Sequence, residues 1–529
     1  PIPRLDKLKM NQPLTDLVLD AGIAAALCRD MPDSDLHSAL ENCCAQGVRL
    51  WLYAGEIANT LSRVEAAIKR TKAAQIALAL SARQRLDQQL PAFQWLAALS
   101  GDMECADDPE PLAAALVQAA KRLGDSARIL TSVRSRLDRG MPFMDLESVP
   151  ALTPQVRVDF IDLKAQQDRI RAALESGIHR VLHHGRYVMG DEIGTLESRL
   201  AQITEVEHCI CVSSGTDALL MALLALEVGP GDEIITSPFS FFATAEVIAL
   251  LGANPVYVDI DPATFNIDAA KIEVAVTGHT RGILPVNLYG QCAEMDEINA
   301  IGQRHSLPVI EDAAQSFGAT YRGRASCALS DIACTSFFPA KPLGAYGDGG
   351  ACFTSDAELA ARLRQIRDHG QDRRYHHVRL GVNGRLDTLQ ATVLLAKLDV
   401  FDNEINRRQE AAQRYAEQLS SLEREGKLVL PIVQSHNTSS WAQYTVRVKG
   451  RDEVQRALAS AGIPTAVHYP VTLYQQPALI QTEANCPEGD RAADEVLSLP
   501  MHPYLGDEAQ ARVSDVLADV LARPMLDST

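Results

Sequence analysis

The chain is short of aromatic residues, 5% of its 529 positions, and short of basic ones. Lys and Arg number 50 against 68 Asp and Glu, a formal net charge of −18. A protein that holds a phosphate backbone needs a basic face, so nucleic acid is not an expected partner. One local basic run stands out: Arg362, Arg364, Arg367, Arg373, Arg374 and Arg379. Eleven cysteines are present, at 28, 43, 44, 105, 209, 211, 292, 327, 334, 352 and 486, but no Cys-x-x-Cys pair. The odd count and scattered spacing indicate neither a zinc site nor a disulfide framework, and no metal is expected. Most lie in apolar runs and read as small buried hydrophobes, which fits a reducing, cytoplasmic compartment. No run of about 18 apolar residues exists, so no spanning helix is expected. The first residues lack the basic and apolar regions of a signal peptide.

What is present is ordinary globular composition, 47% hydrophobic and 22% charged. The length predicts two or three domains. A break is expected near residues 138–156, where Pro150 and Pro154 flank a short connection. Before it, strands at 17–20, 48–53 and 127–131 alternate with helical stretches, which suggests a small parallel sheet in residues 1–145. From 157 to 400, short strands apolar on both faces alternate with helices, the pattern of a mostly parallel sheet covered by helices. Residues 401–529 open on a long charged helix and continue as a mixed α+β tail, read as a smaller C-terminal domain. The fold class is therefore α/β.

Three segments carry chemistry. In Val309-Ile310-Glu311-Asp312-Ala313-Ala314-Gln315 an acid sits at the carboxyl end of a strand, where ligands bind in open α/β sheets. Alone, Asp312 reads equally as a helix cap. In Ser336-Phe337-Phe338-Pro339-Ala340-Lys341-Pro342-Leu343-Gly344 a lysine is embedded in apolar, Pro and Gly residues. Most loop lysines are solvated, but these neighbours make a poor solvated face, and a desolvated lysine becomes an amine nucleophile. In Ser213-Ser214-Gly215-Thr216-Asp217 a strand turns into a helix start, whose free N–H groups seat a phosphate. Together they form the constellation that pyridoxal 5'-phosphate (PLP) requires: a phosphate seat, a buried lysine for covalent attachment and an acid for the pyridine nitrogen.

With these pieces in hand, the chain resembles the DegT/DnrJ/EryC1/StrS family of sugar aminotransferases. The matching motifs are SSGTDAL (213–219), EDAAQSFGA (311–319), SFFPAKPLGAYGDGGA (336–351), GVNGRLDTLQA (381–391) and VHYPVTLYQQPA (467–478). The resemblance covers residues from about 157 to the end, and implies the fold-type I PLP architecture. It implies that Lys341 holds the cofactor covalently and shuttles the proton. Asp312 pairs with the pyridine nitrogen, and Gln315 contacts the ring hydroxyl. Gly215, Thr216 and Ser336 hold the phosphate. Phe241 stacks on the ring, with Phe242 the alternative register. Asn383 reaches the phosphate in a neighbouring subunit, which implies a homodimer with a shared active site; read locally, it is a turn residue between Gly381 and Gly384. Some members carry histidine at the lysine position and act as dehydratases; Lys341 favours transamination, with glutamate the expected donor.

The stretch 370–391 resembles the subgroup acting on UDP-linked 3-keto-N-acetyl-glucuronate, an intermediate for surface polysaccharide. Arginine suits the carboxylate and diphosphate of such a substrate, so Arg373, Arg374, Arg379 and Arg385 are candidates, as are His468 and Tyr469. Several of these arginines also read as plain surface charges. Residues 1–145 resemble a PIN domain through LVLDAGIAAAL (17–27), GVRLWLYAGEIANTL (47–61) and LAAALVQAAKRLGDSARILTS (112–132). Asp20, Glu56, Asp107 and Asp108 are its candidate metal carboxylates. The pattern departs from that family where Ala-Gly follows Asp20 and where Val133 replaces an acid, so a non-catalytic module for docking is expected. The alternative is a PIN-type ribonuclease whose PLP half is regulatory.

Overall fold

The computed structural model describes residues 156–479 and 484–522, and the backbone of three strands before them. The chain divides into two compact units, Pro1–Gln155 and Val156–Thr529. In the first, β1 (Asp16–Leu19) lies between β2 (Arg49–Leu52) and β3 (Ala127–Leu130), parallel to both. These are the three strands expected from the sequence, shifted by about a residue at their ends. Asp20, Glu56, Asp107 and Asp108 lie outside the described residues.

The second unit runs through β4 (His208–Val212), β5 (Glu233–Thr236), β6 (Asn254–Tyr257), β7 (Thr280–Leu284), β8 (Ile310–Asp312), β9 (Thr320–Tyr321), β10 (Arg324–Ala325), β11 (Ile332–Ser336) and β12 (Gly350–Thr354). Two sheets, β4-β12-β11-β8 and β6-β5-β7, join through parallel bridges at Ile283–Val309 and Val286–Asp312. The result is one seven-stranded sheet in which only β12 runs antiparallel to its neighbours. All five residues of β12 and four of five in β4 are buried. Helices cover both faces, so a strand gains by being apolar on both. The helix Gly215–Ala225 packs on this sheet with six buried apolar residues. The seven described cysteines, at 209, 211, 292, 327, 334, 352 and 486, are all free and buried.

Downstream, β13 (Gln371–Arg373) and β14 (His376–His377) form an exposed hairpin. The 24-residue helix Phe401–Arg424 leads to β15 (Leu428–Val429), β16 (Asn437–Thr438), β17 (Tyr444–Val448) and β18 (Val496–Leu499). The antiparallel sheet β15-β17-β18 has its own core of Tyr415, Tyr444, Leu458, Leu497 and Leu517 among others. Among the described residues, no helix is long and apolar enough to cross a membrane.

Candidate active site

Three sheet strands end at one place. Asp312 closes β8, Ser336 closes β11, and Ser213 follows β4. Ser214 caps the helix Gly215–Ala225, accepting from the Asp217 amide at 3.0 Å. The first-turn amides of Gly215 and Thr216 have no intrahelical acceptor and carry the positive end of the helix dipole. A Cβ on Gly215 would fall 2.6 Å from Ser336 Cβ, so only glycine lets the helix start approach the β11 terminus this closely. The Ser336 hydroxyl accepts from the Phe338 amide at 3.2 Å. Amides and a hydroxyl gathered in this way form a cradle that could receive a phosphate.

Asp312 is buried, its carboxylate accepting from Thr244 Oγ1 at 2.9 Å and from the Ala314 amide at 3.1 Å. Burial raises its pKa, and those two donors and the nearby Lys341 resist the rise. The local frame explains its placement: the Asp312 amide donates to Pro285 O, and its carbonyl accepts from Asn287 N. Next to it, Glu311 is completely buried and accepts from Asn287 Nδ2 (2.7 Å), Ser326 Oγ (2.8 Å), Cys327 N (2.9 Å) and Leu329 N (3.3 Å). This ties β8 to two loops.

Lys341 lies beyond β11 in a tight loop, its amide bonded to Phe338 O at 2.6 Å. Burial pulls its pKa from 10.5 down to about 8, with Asp312 holding it up. Its amine has no hydrogen bond or ion pair among the described residues. At neutral pH such an amine is within reach of its nucleophilic form.

The C-terminal part closes the site. His468 and Tyr469 stand between Phe160 and Phe239, with Phe241 6.1 Å from the Tyr469 ring. Burial, with Lys341 adding to it, pulls the His468 pKa down to about 4, and its Nδ1 lies 2.9 Å from Ser498 Oγ. The Tyr469 phenol is pushed well up by burial and by Asp312. Gln315 is fixed at both ends: Nε2 donates to Tyr469 Oη at 3.1 Å, and Oε1 accepts from the Tyr289 amide at 2.9 Å. Phe241 is 55% exposed and faces this corner, whereas Phe242 packs with Leu473 and Leu479.

The expected residues thus fall into two groups. Lys341, Asp312, Gln315, His468, Tyr469 and Phe241 share one locality, with Gly215, Thr216 and Ser336 forming the adjoining cradle. The segment of Asn383 and Arg385 borders the cradle through its backbone, with Arg385 bridging Val212 and Gly384 O accepting from the Ser213 amide at 2.9 Å, while the Arg373 side chain makes no contact with the Lys341 group among the described residues. Arg373 and Arg374 line a cavity of about 250 Å³ with Arg364, Arg367, Gln371 and Met189. Arg385 is paired with Asp368, which lines the same cavity. Asn383 is exposed, and its side chain makes no hydrogen bond among the described residues. Sequence reasoning missed Thr244, which lies inside SPFSFFATA, and Tyr289, whose hydroxyl donates to the His468 carbonyl.

The residues present fit PLP: a glycine-opened helix terminus for the phosphate, a buried acid opposite, and a desolvated amine free of other partners. When bound, that cofactor supplies an electron-withdrawing ring that stabilises a carbanion next to nitrogen. Fold and site together fit a PLP-dependent enzyme, and the relatives define it as a sugar aminotransferase. The chain belongs to the DegT/DnrJ/EryC1/StrS aminotransferase family, which it matches over residues 168–518. It is 56% identical over 356 residues to the UDP-2-acetamido-2-deoxy-3-oxo-D-glucuronate aminotransferase of Pseudomonas aeruginosa, covering 67% of this chain and 98% of that one. It is 41% identical to a UDP-N-acetyl-3-dehydro-alpha-D-glucosamine 3-aminotransferase of Acidithiobacillus ferrooxidans, covering 70% of this chain and all of that one, 100%. Among solved structures, it is similar to a DegT/DnrJ/EryC1/StrS aminotransferase from Brucella abortus, with a TM-score of 0.67, 40% identity, and coverage of 69% of this chain and 100% of that one. It is also similar to NtdA of Bacillus subtilis with bound cofactor PMP, with a TM-score of 0.65, 31% identity, and coverage of 76% and 94%.

Proposed function

We propose that the enzyme transfers an amino group from glutamate to a UDP-linked 3-keto-N-acetyl-glucuronate for surface polysaccharide. The observation that carries the sugar assignment is the 56% identity to the Pseudomonas aeruginosa enzyme across 98% of its length. The arginine-lined cavity supports it, because guanidinium forks match the carboxylate and diphosphate of such a substrate. The chain's own residues divide the work. Lys341 holds the cofactor and moves the proton, and Asp312 holds the ring nitrogen's proton in place. Gly215, Thr216 and Ser336 bind the phosphate, Phe241 covers the ring, and Gln315 orients its hydroxyl side. His468 and Tyr469 exclude water and touch the sugar. An amination assay with glutamate decides the sugar: turnover of the 3-keto and not the 4-keto UDP-sugar is expected, and turnover of only the 4-keto sugar refutes it.

We read the arginines and Asn383 as serving the site of a second copy in a homodimer. The exposed Asn383 side chain, which makes no hydrogen bond among the described residues, supports this, as do the exposed apolar Tyr187, Val188, Met189, Phe338 and Tyr375. Mixing inactive Lys341→Ala and Asn383→Ala proteins is expected to restore activity; no recovery from exchanged subunits refutes the shared site. Residues 157–400 act as the cofactor-binding domain and 401–529 as the smaller one. For 1–145 we infer a non-catalytic PIN-like docking module, supported by the parallel order β2-β1-β3. Metal-dependent RNA cleavage by the full chain, lost in Asp20→Asn, would overturn that.

A further inference from the structure

A second buried lysine, at the ring of Tyr346, is one that the proposed chemistry does not use. Lys397, in the last turn of the helix Thr388–Leu398, is 1% exposed. Its ammonium makes no hydrogen bond or ion pair among the described residues. What it does touch is an aromatic face: Nζ stands 4.3 Å from the centre of the Tyr346 ring. Burial pulls its pKa down to about 8, with Glu404 opposing. Glu404 is committed elsewhere, to Gln166 Nε2 at 2.7 Å and Tyr504 Oη at 2.5 Å.

A buried ammonium without hydrogen bonds is a costly way to fill space, and an apolar side chain of that size would do it better. The charge therefore calls for a role, and the cation–π contact offers one. Tyr346 is five residues past Lys341. Its backbone is clamped from the same helix: the Tyr346 amide donates to Gln390 Oε1 at 2.9 Å, and Gln390 Nε2 returns to Tyr346 O at 3.4 Å. The preceding residue, Ala345, donates to Phe337 O at 2.7 Å, and Phe337 N donates to Gly349 O at 2.7 Å. A Cβ on Gly347 would meet Gln390 Nε2 at 2.9 Å, so the Gln390 amide packs directly against the chain there. One helix thus grips both the ring and the backbone at the exit of the Lys341 loop. The loop's entry is Ser336, at the phosphate cradle.

We propose that Lys397 is a positioning residue for Lys341: its ammonium, held against the Tyr346 ring, fixes the loop that aims the reactive amine between Asp312 and the phosphate cradle. This rests on the reading of Lys341 as the residue that holds the cofactor. The hydroxyl of Tyr346 takes no part, being buried without a hydrogen-bond partner among the described residues. The ring alone carries the contact, so the side chains can be separated by substitution.

The test uses the full-length holoenzyme and the variants Lys397→Met, Lys397→Arg, Tyr346→Phe and Tyr346→Leu. Lys397→Met is expected to lower kcat by about tenfold or more, as a small misplacement of a reacting group does. KM should change little, and the thermal midpoint should hold or rise. Lys397→Arg should recover most of the rate. Tyr346→Phe should resemble the parent, Tyr346→Leu should match Lys397→Met, and the double variant should be no worse than either alone. The near-visible absorption of the lysine-bound cofactor should change its pH midpoint in Lys397→Met and Tyr346→Leu but not in Tyr346→Phe. A parental kcat and absorption in Lys397→Met, or additive losses in the double variant, overturn the proposal. So does a fall in thermal midpoint that accounts for the whole loss of rate. If Lys397→Met does not fold, the contrast between Tyr346→Phe and Tyr346→Leu decides alone: equal behaviour refutes it. Lys341→Ala separates the two readings. Survival of the near-visible band there removes the assignment of Lys341 itself, whereas its loss there beside an unaltered Lys397→Met removes only the positioning role.

Discussion

Replacing Lys341 by methionine should make the cofactor-free protein more stable at neutral pH while abolishing its activity. The lysine's pKa falls from 10.5 in an ordinary setting to about 8 in the fold, mainly through burial. At about 1.4 kcal/mol for each tenfold change in proton affinity, a protonated Lys341 costs about 3 kcal/mol. Methionine has a similar length and no charge, so it removes that cost. It also removes the cation that helps keep Asp312 ionised, which takes back part of the gain. The net expectation is a stabilisation of about 1–3 kcal/mol at pH 7. The sign of its pH dependence follows from linkage. The folded pKa lies below the unfolded one, so the cost is fully present below pH 8 and disappears as pH rises through 8 towards 10.5. Urea unfolding of cofactor-free parent and variant at pH 7 and pH 10 measures this. A variant less stable than the parent at pH 7, or an advantage undiminished at pH 10, would refute the reasoning.

Other consequences follow from single contacts. Gly215→Ala puts a Cβ 2.6 Å from Ser336 Cβ, so the helix start must move away from the β11 terminus, and the change is expected to lower stability and to weaken cofactor binding by about tenfold or more, as read by thermal unfolding and by absorbance titration with PLP. Thr244→Val removes a donor to the Asp312 carboxylate, so Asp312 should titrate at higher pH and the low-pH limb of kcat should move upward; an unmoved limb rejects the role. Glu311→Gln puts an amide where four donors converge, and should cost about 1–3 kcal/mol in thermal or urea unfolding.

Asp312 and Lys341 announce themselves through short-range grammar: an acid ending an apolar strand, and a lysine among Phe and Pro. The strands of the main sheet were readable because helices on both faces demand continuous apolar runs. The antiparallel course of β12 was not, since Ala351-Cys352-Phe353 is apolar whichever way it runs. Thr244 was invisible because its partner Asp312 lies 68 residues away, and nothing local distinguishes it from a helix-start threonine. Gln315 stands one turn after Asp312 in the sequence, but its Tyr469 partner lies 154 residues on. Lys397 sits at a buried helix position that carries no signal beyond its being a lysine where an apolar residue is expected.

The sequence by itself determined the candidates for the chemistry: Lys341 for the amine, Asp312 for the acid, and Gly215 for the opening of the proposed phosphate seat. These depend on residue type and on neighbours a few positions away, where strand ends and helix starts are encoded. Only the tertiary structure decided what surrounds them. It brought Thr244 to Asp312, His468 and Tyr469 over Lys341, and Lys397 under Tyr346. It also gathered Arg364, Arg367, Arg373 and Arg374 around one cavity. The physical reason is that desolvation, and hence the pKa of an amine or a carboxylate, is set by chain segments that meet only when the sheet and the C-terminal helices pack.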